Sequence, residues 1–367
     1  MKVIHINGAG SWGGNEQQLA DLVPELKKLN VDNIVMGRPN APLHHYCVRK
    51  NIPFIVAKDG KLSKKANFRY LKEIVKTENP DVLHLHTSDS VTLFTISDLL
   101  YNLKVPTVFS KKGIGRSSSF LSLFKYNYKN IDRIICVSNA VKVFMEKEVM
   151  KPKNRKKLVV VYDGINTERL EPVRNENLHT LFGIPSEKLL IGNIANHATA
   201  KDLSTLLKMM HHLVHILGKT NLHLIQIGEF TDMTEGLKNI QRELGLEDYV
   251  TFAGFQDHAT DFLPQVNLFV ISSEREGLPL TIYEAFFKKV PVISTRAGGI
   301  PEIISDGKNG FLVDVGDYKG LAEKSKQVIE NPTLVEQFRN RSHKLFIEKF
   351  KAEKTAEHIL DIYKNIQ

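Results

Sequence analysis

Two glutamates carry the sharpest chemical signal in this chain. Glu276 and Glu284, separated by seven residues, lie in Ser273-Glu274-Arg275-Glu276-Gly277-Leu278-Pro279-Leu280-Thr281-Ile282-Tyr283-Glu284-Ala285, directly after the apolar run 268–271. Pro279 suits the first helical turn, where its missing N–H costs nothing. The N–H groups of Leu280 and Thr281 are then placed to meet a diphosphate. Glu276 falls in the loop before that helix and Glu284 about two turns along it, so both carboxylates can border one ligand. Carboxylates accept strongly from paired hydroxyls such as those of a sugar. A strand pattern at 291–294 follows, then a second glycine turn, Ala297-Gly298-Gly299-Ile300-Pro301-Glu302. A third glycine turn opens the chain: Asn7-Gly8-Ala9-Gly10-Ser11-Trp12-Gly13-Gly14-Asn15-Glu16 follows the first apolar run. Glycines between a strand and a helix let the backbone approach an anion. The spacing is not that of a dinucleotide fingerprint, because no acidic residue closes the second strand.

Positioning these loops requires strands that alternate with helices, and the pattern supplies them. Short β-rich runs occur at 3–7, 33–36, 54–57, 82–86, 107–110 and 133–137, with amphipathic helices such as 16–29 and 67–76 between them. A basic, proline-containing stretch at 151–157 breaks the alternation, a strand at 158–162 follows, and the turn Asp163-Gly164-Ile165-Asn166 reads as the hinge. Strands then recur at 190–195, 223–227, 250–252, 268–271, 291–294 and 310–313. At 367 residues the chain is long for one core, so two domains are expected. The expectation is α/β, with two Rossmann-like doubly wound domains over 1–165 and 166–350 facing a cleft. A terminal helix in 351–367 should return to the first domain.

Composition narrows the class. An apolar fraction of 42% and a charged fraction of 25% are those of a globular chain, and no window suits a bilayer span. Cys47 and Cys136 lie alone in apolar stretches, which predicts reduced thiols in a cytosolic protein and no zinc site. No Asp-x-Asp occurs, so no metal is expected. Residues 1–165 hold 27 Lys and Arg against 14 Asp and Glu, a balance of +13, while the remainder carries −4 of the total +9. The asymmetry predicts an anionic partner for the first half. The stretch 113–130 interleaves Phe120, Leu121, Leu123, Phe124, Tyr126 and Tyr128 with Arg116, Lys125 and Lys129. With Lys58, Lys61, Lys64 and Lys65 it reads as a basic amphipathic surface for an anionic membrane rather than for nucleic acid.

Taken together, the two glutamates, Pro291-Val292-Ile293-Ser294 and Gly298-Gly299-Ile300-Pro301-Glu302 resemble retaining glycosyltransferases of family 4, which have the GT-B fold. The resemblance extends to Gly13-Gly14, Lys201-Asp202 and Val161-Tyr162-Asp163-Gly164-Ile165-Asn166, and so covers nearly the whole chain. It implies that Glu284 holds the ribose of a nucleotide-diphosphate sugar, a UDP-sugar by expectation, and Glu276 the transferred sugar. Lys201 would pair with the diphosphate beside Gly13-Gly14, with no further cofactor. The acceptor would be a glycan or a lipid-linked precursor of cell-surface polysaccharide, met at the cytosolic face of the membrane.

Two positions depart from the family. Asn196 stands where an arginine is frequent, leaving Lys201 to carry the phosphates alone or with His197. Lys112 stands where a histidine is frequent, and an unshifted lysine is a poor base. His84 and His86 are read as lying on opposite faces of strand 82–86, with His86, nearer its carboxyl end, the site candidate. A nucleotide-sugar epimerase, which can share this fold and needs no acceptor, is one alternative; a catalytically silent sugar-nucleotide binding protein, suggested by Asn196 and Lys112, is the other.

Overall fold

Apolar runs such as Val3-Ile4-His5-Ile6 have no solvent face, so a sheet built from them must be covered on both sides. The chain has that construction twice in its computed structural model, which describes residues 1–115, 120–171 and 175–367. Contacts divide it into Met1–Asn166 with Lys351–Gln367, and Thr167–Phe350. Asn166 therefore ends the first unit, one residue beyond the boundary read from the sequence.

The first unit holds β1 (Lys2–Asn7), β2 (Asp32–Gly37), β3 (Phe54–Val56), β4 (Val82–Leu85), β5 (Thr107–Lys111), β6 (Arg133–Cys136) and β7 (Leu158–Val160). Its helices are α1 (Gly14–Lys28), α2 (Pro42–Arg49), α3 (Lys65–Glu78), α4 (Ser88–Tyr101), α5 (Phe120–Tyr126) and α6 (Asn139–Phe144). The strands pair in parallel, in the order β3-β2-β1-β4-β5-β6-β7. The chain therefore reverses direction across the sheet between β1 and β4. Ligands of doubly wound sheets sit at the carboxyl ends of strands at such a reversal.

The second unit repeats the plan with β8 (Leu189–Ile194), β9 (Leu222–Ile227), β10 (Val250–Gly254), β11 (Leu268–Ile271), β12 (Val292–Thr295) and β13 (Phe311–Val313). Helices α7 (Leu178–Phe182), α8 (Leu203–His211), α9 (Thr234–Glu243), α10 (Leu280–Phe287), α11 (Tyr318–Ile329) and α12 (Pro332–Lys349) accompany them. The order β10-β9-β8-β11-β12-β13 puts its reversal between β8 and β11.

The last helix, α13 (Ala352–Lys364), lies against the first unit's sheet beside α1. Leu22 and Leu26 of α1 and Ala356, Ile359 and Tyr363 of α13 bury with Val3, Val82, Val108 and Ile135. Each such fully buried large apolar side chain contributes ~1.5–3 kcal/mol. Polar contacts fix the register. Tyr363 Oη lies 2.6 Å from His84 Nδ1, and Ala352 N–H donates to Ile165 O at 3.0 Å. Gly164 makes the return possible, since a Cβ there would lie 2.3 Å from Lys351 O. Both cysteines are buried, and burial pushes each thiol up to about 12.

Candidate functional site

The second unit gathers its chemistry at the β8/β11 reversal. Lys201 follows β8 and Glu276 follows β11, and Lys201 Nζ donates to Glu276 Oε1 at 2.7 Å. The same oxygen accepts from Ser273 Oγ at 2.7 Å. Backbone bonds stitch the two loops: Glu274 N–H donates to Ala200 O at 2.9 Å, and Ser272 Oγ donates to Lys201 O at 3.0 Å. The turn after β12 closes the third side. Gly298 has φ +54°, and a Cβ there would lie 1.7 Å from Glu276 O. Gly299 N–H donates to Gly277 O at 3.1 Å. The glycine pair is thus what lets the β12 turn pack on the Glu276 loop.

Helix α10 begins at the same place. Pro279 is its N-cap residue, with extended backbone, so Leu280 and Thr281 present the first N–H groups of the helix. Glu284, on this helix, is only 4% exposed and accepts from Arg169 Nη2 at 2.8 Å. Each of the two site carboxylates is therefore buried with one cation, the arrangement that keeps a buried charge tolerable. Arg169 was not signalled by any motif. It lies 115 positions from its partner, beyond the reach of helical or strand periodicity.

Asn196 lies exposed at the end of β8, and its Oδ1 accepts from Glu229 N–H at 3.0 Å. His197 does not join Lys201. Its Nδ1 lies 2.8 Å from Thr234 Oγ1 and its Nε2 2.8 Å from Gln226 Oε1, so both ring nitrogens are committed to the fold.

The first-unit turn differs from its expected role. Gly13 caps α1 with φ −153°, ordinary extended backbone, and Gly14 is the first helical residue. Glu16 is buried, and its carboxylate accepts from Asn7 Nδ2 at 2.9 Å and Asn15 Nδ2 at 3.2 Å. Burial raises its pKa, and these amides with the backbone N–H groups of Glu16 and Gly13 oppose the rise. The Gly13 N–H thus faces a carboxylate of the helix it caps.

The histidines correct a second expectation. His84 and His86 share one face, their ring centroids 4.1 Å apart, because residues two apart on a strand point the same way. With His5 they form a buried set whose ligand-capable atoms lie within 4.8 Å of one another. Hydrogen bonds occupy this cluster. Asn33 Nδ2 donates to Val31 O at 2.9 Å, which leaves Asn33 Oδ1 to accept His5 Nε2–H at 3.0 Å. His5 Nδ1 must then accept, at 3.0 Å, from His86 Nε2–H. His84 is held between Tyr363 Oη and Ser110 Oγ. Of six ring nitrogens only His86 Nδ1, a lone pair in this tautomer, has no hydrogen-bond partner. Burial lowers the pKa of His5 to about 4 and those of His84 and His86 well below the usual value, so all three are neutral at pH 7. Lys112 pairs with Asp163 at 2.5 Å, and burial raises the pKa of that carboxylate against the opposing pull of Lys112.

Residues 175–365, just over half of the chain, match the family described as Glycosyl transferases group 1, and residues 12–169 match Glycosyltransferase Family 4. The chain belongs to the group 1 glycosyltransferases. It is 28% identical over 307 residues to N-acetyl-alpha-D-glucosaminyl L-malate synthase of Bacillus anthracis, covering 81% of this chain and 77% of that protein. It is 26% identical to the lipopolysaccharide core biosynthesis glycosyltransferase LpsE of Rhizobium meliloti, covering 99% and 98% of the two chains. In fold it is similar to Anabaena Alr3699/HepE, solved in complex with UDP and glucose, at a TM-score of 0.86 and 19% identity over the full length of both chains.

In this glycosyltransferase, Lys201, Glu276, Glu284, Leu280 and Thr281 share the carboxyl edge of one sheet, while Asn196 stands at its margin. Lys112 and His86 belong to the other unit. The basic amphipathic stretch resolves into two parts. Tyr126 and Tyr128 are core, the first stacked on Phe109 at 5.3 Å and the second donating to Asp98 Oδ2 at 2.7 Å. Phe120, Leu121 and Phe124 are exposed, by 83%, 74% and 52%. Arg116 lies outside the described residues. Among the described residues no helix is long and apolar enough to cross a membrane.

Proposed function

We propose that this glycosyltransferase moves a sugar from a UDP-sugar, with retention and without a metal, to a glycan or lipid-linked acceptor in cell-surface polysaccharide synthesis. The observation that carries the reading is the set Lys201, Glu276, Glu284 and the α10 N-terminus at one sheet reversal, each carboxylate paired with a cation. Glu284 takes the ribose hydroxyls and Glu276 those of the sugar. Lys201 and the first N–H groups of α10 meet the charge that grows on the departing diphosphate. These groups supply positive charge without a divalent ion. In the proposed front-side step the bond from C1 to the phosphate oxygen breaks. The acceptor oxygen bonds to C1 on the same face, and its proton passes to the leaving phosphate. A double displacement would need a carboxylate nucleophile about 5 Å from a second carboxyl group, with both able to act on the sugar. Here Arg169 and Lys201 engage the two candidates. Incubation with labelled nucleotide sugars tests the reading: hydrolysis or transfer supports it, interconversion indicates an epimerase, and binding without turnover a silent protein.

Glu284→Ala should weaken UDP binding by about 1.5–3 kcal/mol, the value of charge-assisted hydrogen bonds. Calorimetry reads this directly, and unchanged affinity removes Glu284 from the ribose site.

The exposed Phe120, Leu121 and Phe124 on a unit of strongly positive charge support peripheral attachment to an anionic leaflet. Co-sedimentation should require anionic vesicles and fall as salt rises. Equal recovery with neutral vesicles, or no loss in Phe120→Ser with Phe124→Ser, would refute the attachment.

A further inference from the structure

The reversal between β1 and β4 in the first unit carries its own cavity, of about 460 Å³, lined by the turn after β1, by Arg38 after β2 and by the start of α4. A second hollow of about 430 Å³ shares Arg38 and Lys61 with it and adds Lys64. We propose that this cavity binds an oxyanion, a phosphate or carboxylate on the acceptor, through Arg38 and Lys61, with the charge of Lys125 beside them. The proposal rests on the glycosyltransferase reading and specifies its acceptor class.

Arg38 is built into the wall with donors to spare. Its Nε is buried without a hydrogen-bond partner, and its nearest carboxylate oxygen, Asp89 Oδ2, is 3.7 Å from Nη2. The glycines of the first loop make room for this pair. A Cβ on Gly10 would lie 3.0 Å from Arg38 Nη1, and one on Gly8 would lie 2.1 Å from Asp89 Oδ2. Asp89 is held in turn by Thr87 Oγ1, which donates to its Oδ1 at 2.5 Å. The carboxylate thus aims the guanidinium while leaving most of its fork unengaged, and a guanidinium fork matches phosphate and carboxylate geometry.

Lys125 forms another side. Its Nζ donates to Ser88 O at 2.7 Å, Ser88 Oγ at 2.6 Å and Thr92 Oγ1 at 3.0 Å. All three acceptors are neutral, and burial lowers the lysine's pKa while Asp89 partly restores it. An anion in the cavity would relieve that penalty. Lys61 enters on a loop made rigid by the buried side chain of Asn67, which accepts from Lys58 N–H and donates to Lys58 O and Lys61 O at 2.7, 2.7 and 2.9 Å. Three cations against Asp89 leave the cavity with a net positive charge, which a neutral sugar would not use.

Inorganic phosphate and malonate, each titrated at fixed ionic strength into the full chain saturated with UDP, test the proposal. Binding should weaken about tenfold or more in Arg38→Gln and in Lys61→Gln, and not in Lys319→Gln, an exposed lysine of the other unit. Thermal unfolding identifies any variant that fails to fold, and the exposed Lys61 is the safeguard for Arg38. Tighter phosphate indicates a phosphorylated acceptor and tighter malonate a carboxylated one. Absence of both anions from the wild type, or less than about a threefold change in folded variants, overturns the proposal. Failure to bind UDP would instead overturn the donor reading.

Discussion

Lys201→Met is expected to lower turnover about 10²- to 10³-fold, the scale of losing one preorganised charge-stabilising group at a developing anion. In the proposed step the lysine meets the diphosphate most strongly as the bond to the sugar breaks, so UDP affinity should fall far less than turnover. The substitution also strands Glu276, whose side chain is only 10% exposed and which Lys201 contacts at 2.7 Å. Removing one partner of a buried pair destabilises because the other charge remains. Thermal unfolding should therefore drop in Lys201→Met and recover in the double variant with Glu276→Gln, while turnover recovers in neither. Steady-state kinetics with a transferable donor reads the first effect. A loss smaller than about tenfold would remove Lys201 from the leaving-group site.

The second large effect is acid sensitivity of the folded first unit. Its three central histidines are buried and neutral, with His5 lowered from 6.5 to about 4. Between those values the unfolded chain binds protons that the folded chain refuses, so stability is complete above about pH 6.5 and falls as pH drops toward 4. From pH 7 to pH 5, His5 alone should remove about 2 kcal/mol, and His84 and His86 act in the same direction. The second unit follows more weakly, through His223 at about 4 and the lowered pKa of His197. Urea unfolding at pH 7, 6 and 5 measures this above the range where ordinary carboxylates titrate. A flat profile would mean that the cluster accepts protons in place.

Much of the site was legible because its parts are local. Pro279, Leu280, Thr281 and Glu284 belong to one helix start, and the strand before them is one apolar run, so spacing alone places the carboxylates and the N–H groups on one short segment. Gly298 and Gly299 were recognisable as a turn. That they pack on the backbone of Glu276 was not, since the contact depends on β11 and β12 being neighbours. The glycines at 8 and 10 suggested an anion at the backbone. In the structure they are small because Asp89 and Arg38 fill the space a Cβ would take. Placing His84 and His86 on opposite faces misreads their spacing, since a period of two puts them on the same face, where their rings lie 4.1 Å apart.

The alternation of strands and helices, the two doubly wound units and the segments proposed to carry the donor chemistry can be read from the residues in order. Burial periodicity, turn residues and helix-start signals all act over a few residues and survive in a linear reading. Tertiary structure decided which side chains meet. Lys201 reaches Glu276 across 75 positions, Arg169 reaches Glu284 across 115, and His84 reaches Tyr363 across 279. The first follows from strand order, which places β8 against β11, the second from the segment 167–170 packing on α10, and the third from α13 lying against the first unit's sheet. Strand order is set by how whole layers bury one another, and no local pattern of residues encodes it.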